Sequence, residues 1–289
     1  MNQTLATRLR TLLVLGRVSN LPTVWSNCLA GWWLAGAGPW GRFVPVLLGV
    51  SSIYIGGMYL NDAFDAEFDR QRRAVRPIPS GQISELAVWR FGWGWLVLGL
   101  VLLWLTGRTT GFFGLALVAS VLVYNITHKF ITASPFLMGL CRFWVYVIAG
   151  TTGLIGVDGW PVWGGLALAS YIVGLSYVAR RESFRGPIPH WPLLFLAAPF
   201  LLALLMDPGE HRRPGLEAAF VLALWMARCL PPIFKSATVS AGRVVSGLLA
   251  GIVLVDCLAV APDSTWRLNI VFVLLFAATQ VLQRYIPAT

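Results

Sequence analysis

The chain has 289 residues, of which 57% are apolar and only 12% charged, with a formal net charge of +10. That charged share is about half of what a soluble domain carries, and the apolar residues recur in long runs that a bilayer accommodates and an aqueous core does not. The basic residues sit in short loops between those runs and build no basic face or tail, so nucleic acid is excluded as a partner; membrane lipids and an anionic substrate are not.

Ten apolar segments follow in chain order, at roughly 18–36, 43–64, 84–106, 110–127, 136–157, 161–179, 191–206, 215–230, 241–262 and 267–285. The eighth carries Glu217 and Arg228 and ends at Pro231-Pro232, so it reads equally as a half-span. The expected fold is therefore an all-α integral-membrane bundle of nine or ten transmembrane helices, with residues 1–289 forming one domain. Arg8, Arg10 and Arg17 precede the first run as in a signal peptide. That run has no clear small-residue cleavage site and many spans follow it, so it is expected to be a retained first helix.

Orientation follows from Lys and Arg. One set of loops holds Arg8, Arg10, Arg17, Arg70, Arg72, Arg73, Arg76, Lys129, Arg180, Arg181, Arg185, Lys235, Arg243 and Arg284; the alternate set holds Arg42, Arg108, Arg212, Arg213 and Arg267. The asymmetry puts both termini in the cytoplasm, in a bacterial-type inner membrane. Trp32, Trp33, Trp40, Trp104, Trp160, Trp163 and Trp266 fall at the expected outer helix ends, where an indole is half apolar and half wet. Glycines at Gly56-Gly57, Gly150, Gly153, Gly156 and Gly247-x-x-x-Gly251 read as sites of close helix packing. Cys28, Cys141, Cys229 and Cys257 read as small apolar side chains, and His128, His190 and His211 show no metal-ligand spacing.

The second segment ends in Asn61-Asp62-Ala63-Phe64-Asp65-Ala66-Glu67-Phe68-Asp69. At about 100° per residue, Asn61, Asp62, Asp65 and Asp69 share one arc of roughly 100°, with Glu67 pointing away. Carboxylates crowded at a membrane boundary repel, and hard cations relieve the penalty. Mg²⁺ takes one or two carboxylates and completes its shell with water and phosphate oxygens, so this face suits a Mg–diphosphate. The competing reading is a solvated helix end paired with Arg70, Arg72, Arg73 and Arg76.

Asn61-Asp62-x-x-Asp65-x-x-x-Asp69 followed by Arg76-Pro77-Ile78-Pro79-Ser80-Gly81 resembles the first signature of the UbiA superfamily of membrane prenyltransferases. Arg17-x-x-Asn20-x-Pro22 resembles its first-helix motif, and Tyr124-Asn125-x-x-x-Lys129 its Tyr-and-Lys segment. The resemblance implies a UbiA-like bundle with a cytoplasm-facing active site that joins an allylic isoprenyl diphosphate to an acceptor. It implies Mg²⁺ on Asp62, Asp65 and Asp69. It gives Lys129 a catalytic part, neutralising the departing diphosphate together with Arg17, and lets Asn20, Asn61 and Tyr124 contact substrate.

A second acidic cluster is missing. Its place reads Ser176-Tyr177-Val178-Ala179-Arg180-Arg181-Glu182-Ser183, followed by Arg185-Gly-Pro-Ile-Pro-His, an echo of Arg76-Pro-Ile-Pro-Ser-Gly. This pattern resembles a divergent UbiA-like branch associated with ebo gene clusters. Arg180 and Arg181 either contact phosphate oxygens directly or serve positive-inside topology alone. Arg142 and Asp256 lie within apolar segments; Arg142 is expected to line the cavity, and the two either pair with each other or with neighbouring polar groups. Two rival functions stay open: a phosphoribosyl-type transfer to a polyprenyl phosphate, and a non-enzymatic carrier or scaffold for a lipid-linked precursor.

Overall fold

The computed structural model describes residues 5–180, 191–205, 212–231 and 241–288. Every regular element among them is helical. In chain order they are α1 (Leu5–Leu15), α2 (Leu21–Leu34), α3 (Trp40–Phe64), α4 (Ala66–Arg72), α5 (Glu85–Thr106), α6 (Arg108–Thr127), α7 (Ser134–Gly150), α8 (Gly159–Arg180), α9 (Pro192–Leu196), α10 (Ala198–Leu205), α11 (Arg212–Cys229), α12 (Ala241–Val260) and α13 (Trp266–Tyr285).

Local chemistry explains the boundaries. Prolines sit in the first turns of α2 and α7, where the missing N–H removes no helical bond. Ser84 and Thr265 cap α5 and α13, each accepting a hydrogen bond from the backbone N–H three residues on. Between α1 and α2 the chain turns sharply at Arg17, whose φ of 42° is left-handed. A non-glycine residue there stores roughly 1–3 kcal/mol of strain, which surrounding contacts must hold.

Among the described residues, six helices are long and apolar enough to cross a membrane: α3, α5, α6, α8, α12 with its 3₁₀ extension (Gly242–Asp263), and α13. The other expected segments take different forms. The first is the 14-residue α2, the fifth the 17-residue α7. The seventh is broken at Ala197 into α9 and α10, and the eighth is the less apolar α11. The five-residue α1–α2 connection and α4 carry structure that apolar periodicity did not announce, because their faces are mixed.

α2 is the hub, touching α3, α7, α8, α12 and α13. All of its residues from Leu21 to Trp32 are buried except Trp25. Close approach depends on glycine at two places. A methyl on Gly31 would lie 2.5 Å from the carbonyl oxygen of Tyr146, which lets α2 meet α7 backbone to backbone. A methyl on Gly56 would lie 2.8 Å from the carbonyl oxygen of Gly92, which does the same for α3 and α5. The outer helices turn apolar side chains outward, among them Val97, Val101 and Leu105 on α5 and Ile270, Val273 and Leu274 on α13. Such faces suit lipid.

Trp32, near the end of α2, is 3% exposed and packs against Trp40 and Phe43, with ring centroids 4.9 and 4.6 Å away. Trp40, Trp104, Trp160, Trp163 and Trp266 are exposed.

Candidate functional site

The acidic stretch does not continue as one helix. α3 stops at Phe64, Asp65 sits in a turn, and α4 begins at Ala66. Backbone hydrogen bonds nonetheless bridge the break, from Asp65 N to Asn61 O (3.0 Å) and from Asp69 N to Asp65 O (2.8 Å). The helical register therefore survives, and Asn61, Asp62, Asp65 and Asp69 are all buried while Glu67 is exposed. Glu67 pairs with Arg70, which also reaches Glu85.

The buried carboxylates meet cations from three other parts of the chain. Arg17 Nη2 lies 3.4 Å from both Asn61 Oδ1 and Asp62 Oδ1. Arg76 Nη1 sits between two carboxylates, 3.2 Å from Asp62 Oδ1 and 3.0 Å from Asp69 Oδ2. Lys129 Nζ is 2.7 Å from Asp65 Oδ1, with His128 Nε2 at 3.4 Å on the same oxygen. Burial alone would raise the Asp65 carboxyl, but His128 and Lys129 together hold it below the usual carboxylate value. Asn125 completes the frame: it donates to Gly57 O (3.0 Å) and accepts from Asn61 Nδ2 (3.3 Å), tying α6 to α3.

Among the described residues no three of His, Cys, Asp and Glu converge as a ready ligand set for a metal ion. Mg²⁺ asks for less, one or two carboxylates with the remaining positions taken by water and phosphate. Asp62 and Asp69 flank a single guanidinium nitrogen, and Asp69 Oδ1 is buried with no hydrogen-bond partner. A hard cation satisfies that orphaned oxygen, so the donor chemistry fits Mg²⁺.

Beside this cluster opens a chamber of about 250 Å³ bordered by Arg17, Tyr54, Met58, Tyr124, Arg142 and Arg180, among others. A second, largely apolar cavity of about 70 Å³ shares Tyr54, Met58, Tyr124, Met138 and Arg142 with it and runs on between Val24, Val50, Ile53 and Leu117. Tyr124 stacks on His128 at 5.1 Å and borders both spaces.

The remaining expected residues fall as follows. Asn20 borders the chamber, but its amide donates to Ala288 O (3.0 Å) and accepts from Gln283 Nε2 (3.4 Å), tying the start of α2 to the chain's end. Arg180 also borders the chamber, yet its guanidinium is committed to the α6–α7 loop. It donates to the carbonyls of His128, Ile131 and Thr132, each at 2.7 Å, and to Ser134 Oγ at 2.5 Å. It holds the segment that carries His128 and Lys129. Arg181 and the Arg185-Gly-Pro-Ile-Pro-His echo lie outside the described residues. Arg142 and Asp256 do not touch; Asn27 joins them, accepting from Arg142 Nη1 (2.6 Å) and donating to Asp256 Oδ2 (2.6 Å).

Sequence reasoning noted Asn125 and His128 but gave neither a role, and passed over Tyr54, Met58 and Asn27. Tyr54, Met58, Asn61 and Asp65 recur every three or four residues, so the face was readable one turn further back. His128 adjoins Lys129, but a histidine counted only for metal spacing shows no sign of pairing with a carboxylate.

Comparison with known proteins follows the same lines. The model of the UbiA prenyltransferase family matches residues 21–286. Digeranylgeranylglyceryl phosphate synthase of Sulfolobus acidocaldarius is 30% identical over 148 residues, 50% of this chain, and the match spans only half of that protein's length. A solved structure concerning digeranylgeranylglyceryl phosphate synthase in membranes superposes with a TM-score of 0.62 at 22% identity, covering 89% of this chain and 99% of the other. A UbiA homolog from Archaeoglobus fulgidus bound to GPP and Mg²⁺ superposes with a TM-score of 0.53 at 15% identity, covering 94% and 99%. These two establish likeness of fold.

Proposed function

This chain belongs to the UbiA prenyltransferase family, and from that premise we propose that it transfers an isoprenyl group from an allylic isoprenyl diphosphate to an acceptor within a membrane. The observation that carries the reading is one convergence. Three buried aspartates, from α3, α4 and the turn between them, meet Arg17, Arg76, His128 and Lys129 at the edge of a chamber that narrows into an apolar cavity. The A. fulgidus homolog, which binds GPP and Mg²⁺ on the same fold, supports it.

In this reading Asp62 and Asp69 would hold Mg²⁺, with Asp65 contributing from the turn between them, and the ion would supply positive charge to the diphosphate. Arg17 and Arg76 already face these carboxylates and turn to the diphosphate when it arrives, while Asn61 is steadied by Asn125. Lys129, oriented by Asp65, meets the charge that grows as the C–O bond ionises. Fixed charges at the place where charge develops are what lower such a barrier. The allylic cation is sheltered by Tyr54, Tyr124, Met58 and Met138, with its tail in the apolar cavity, until an acceptor nucleophile captures it. Arg180 acts indirectly, by holding the loop that carries Lys129, and Arg142 lines the acceptor side of the chamber.

The same geometry supports an orientation. The Arg17–Asp62 pair, the start of α2 and Ala288 lie together at the aspartate end of the bundle. Together with the basic loops this supports cytoplasmic termini and nine or ten membrane crossings, with α2, α7 and the α9–α10 pair completing what the six long helices begin.

The test is thermal stabilisation of the purified protein by geranyl diphosphate with and without Mg²⁺. Mg²⁺-dependent stabilisation in the wild type that is lost in Asp62→Ala is the expected result. Stabilisation by a phosphoribosyl diphosphate in place of any isoprenyl diphosphate would refute the reading.

A further inference from the structure

We propose that Arg76 fills the metal seat of the resting protein, so that Mg²⁺ is taken up only together with a diphosphate, which draws Arg76 off the carboxylates. The proposal rests on the transferase reading above and names the form in which that site accepts its metal.

Asp69 is the most deeply buried of the three aspartates, at 2% exposed. Its Oδ2 accepts from Arg76 Nη1 at 3.0 Å, and its Oδ1 has no hydrogen-bond partner. The same Nη1 lies 3.2 Å from Asp62 Oδ1. One nitrogen therefore stands where two carboxylates converge, the place that a shared cation takes. Buried carboxylates without a counter-charge are costly, and Arg76 supplies that charge while no metal is bound.

The cage is balanced before any ion arrives. Arg76 answers Asp69 and, with Arg17, Asp62, while Lys129 answers Asp65. Three carboxylates thus face three permanent cations, and His128 lies 3.4 Å from Asp65 in addition. A free Mg²⁺ entering here meets no net negative charge and, beside Asp69, a guanidinium that repels it. Arg76 has no other anion to turn to. Among the described residues the chamber border includes no Asp or Glu, and Glu67 and Glu85 are held by Arg70. A diphosphate changes both conditions, because it offers Arg76 a new anion and offsets the charge that the metal adds.

The local structure suits a side chain that moves on a fixed backbone. The Arg76 carbonyl accepts from Ser80 N (3.0 Å) and Ser80 Oγ (2.7 Å), and Pro77 and Pro79 restrict the turn that follows. Both carboxylate contacts use Nη1; among the described residues Nε and Nη2 have no hydrogen-bond partner. The Arg76 side chain is 20% exposed, more than either carboxylate it touches. A planar fork with unused N–H groups on its open side suits phosphate oxygens. Arg76 is thus a cation in the absence of metal and a phosphate ligand in its presence.

The experiment uses the full chain in an uncharged detergent, with Mn²⁺ as the metal, and measures retention by equilibrium dialysis with protein-free micelles subtracted. Mn²⁺ alone is compared with Mn²⁺ plus inorganic diphosphate and Mn²⁺ plus geranyl diphosphate. In the wild type either diphosphate should raise Mn²⁺ affinity about tenfold or more, and Mn²⁺ should raise diphosphate affinity by the same factor, as linkage requires. Arg76→Gln empties the seat, so it should bind Mn²⁺ alone about tenfold more tightly than the wild type does, and Mn²⁺ alone should raise its Tm. Arg76→Lys keeps a cation there and should exclude free Mn²⁺ as the wild type does. A wild type without coupling, whether it binds Mn²⁺ equally well in all conditions or in none, would overturn the proposal. So would an Arg76→Gln variant that folds but gains no affinity for Mn²⁺ alone. If Arg76→Gln does not fold even with Mn²⁺ present, the wild-type coupling and Arg76→Lys decide. Mn²⁺ uptake promoted by inorganic diphosphate and not by geranyl diphosphate would support the proposal and count against the isoprenyl reading alone.

Discussion

Asp62 shares an environment with Asp69 through the single nitrogen of Arg76, and this makes their substitution informative. Asp62→Asn keeps size and removes charge, so prenyl transfer should fall about 10²-fold or more while the fold persists; product formation alongside Tm separates the two effects. Unchanged turnover would dismiss the aspartate face as machinery. Chelation of Mg²⁺ should abolish stabilisation by geranyl diphosphate without lowering the Tm of the ligand-free protein, since the ligand-free carboxylates are already paired with Arg17, Arg76 and Lys129. Much of this residue-level site was legible in advance, because helical periodicity alone places Asn61, Asp62, Asp65 and Asp69 on one face. Their partners were not. Arg76 was named as a partner, beside Arg70, Arg72 and Arg73, only in the competing reading of a solvated, ion-paired helix end, and Arg17 as a diphosphate contact; that these two in particular meet Asp62 depends on a strained turn and on a loop path that no period describes.

At the scale of elements, glycine contacts and the α6–α7 loop carry the argument. Gly56→Leu forces side-chain atoms into the backbone of α5 and should cost about 1–3 kcal/mol or more, read as a fall in Tm or in folded yield. Arg180→Met should leave the fold intact but release the carbonyls of residues 128–132. Faster hydrogen exchange in that loop, with about tenfold slower turnover through misplaced Lys129, is the expected outcome. A direct phosphate contact by Arg180 would instead show as weakened diphosphate binding with unchanged loop exchange. Sequence reasoning allowed Arg180 a phosphate contact or a topological role and missed this third one, because a hydrogen bond to a carbonyl 52 residues away leaves no local trace.

For the whole molecule, the decisive arrangement is that the α1–α2 turn and Ala288 meet beside the aspartates. The topology this supports is testable by labelling in intact cells. A cysteine at Gly41, where an added Cβ meets nothing within 4 Å, should react with an impermeant maleimide from outside. One at exposed Glu67 should react only after permeabilisation. The opposite pattern would invert the orientation. Exposed apolar faces on α5 and α13 require a lipid environment, so delipidation should aggregate the protein.

By itself the sequence determined what depends on composition and short-range periodicity: a membrane-embedded helical chain, the asymmetry of its basic loops, and an acidic face at the end of one helix. Those properties are carried by residues within a few turns of each other. Tertiary structure alone decided which cations answer which aspartates, that Arg180 serves a loop, and that Arg142 and Asp256 communicate through Asn27. Each of these joins residues far apart in the chain, and their meeting is set by how closely glycine-lined helices approach and where the chain breaks between them.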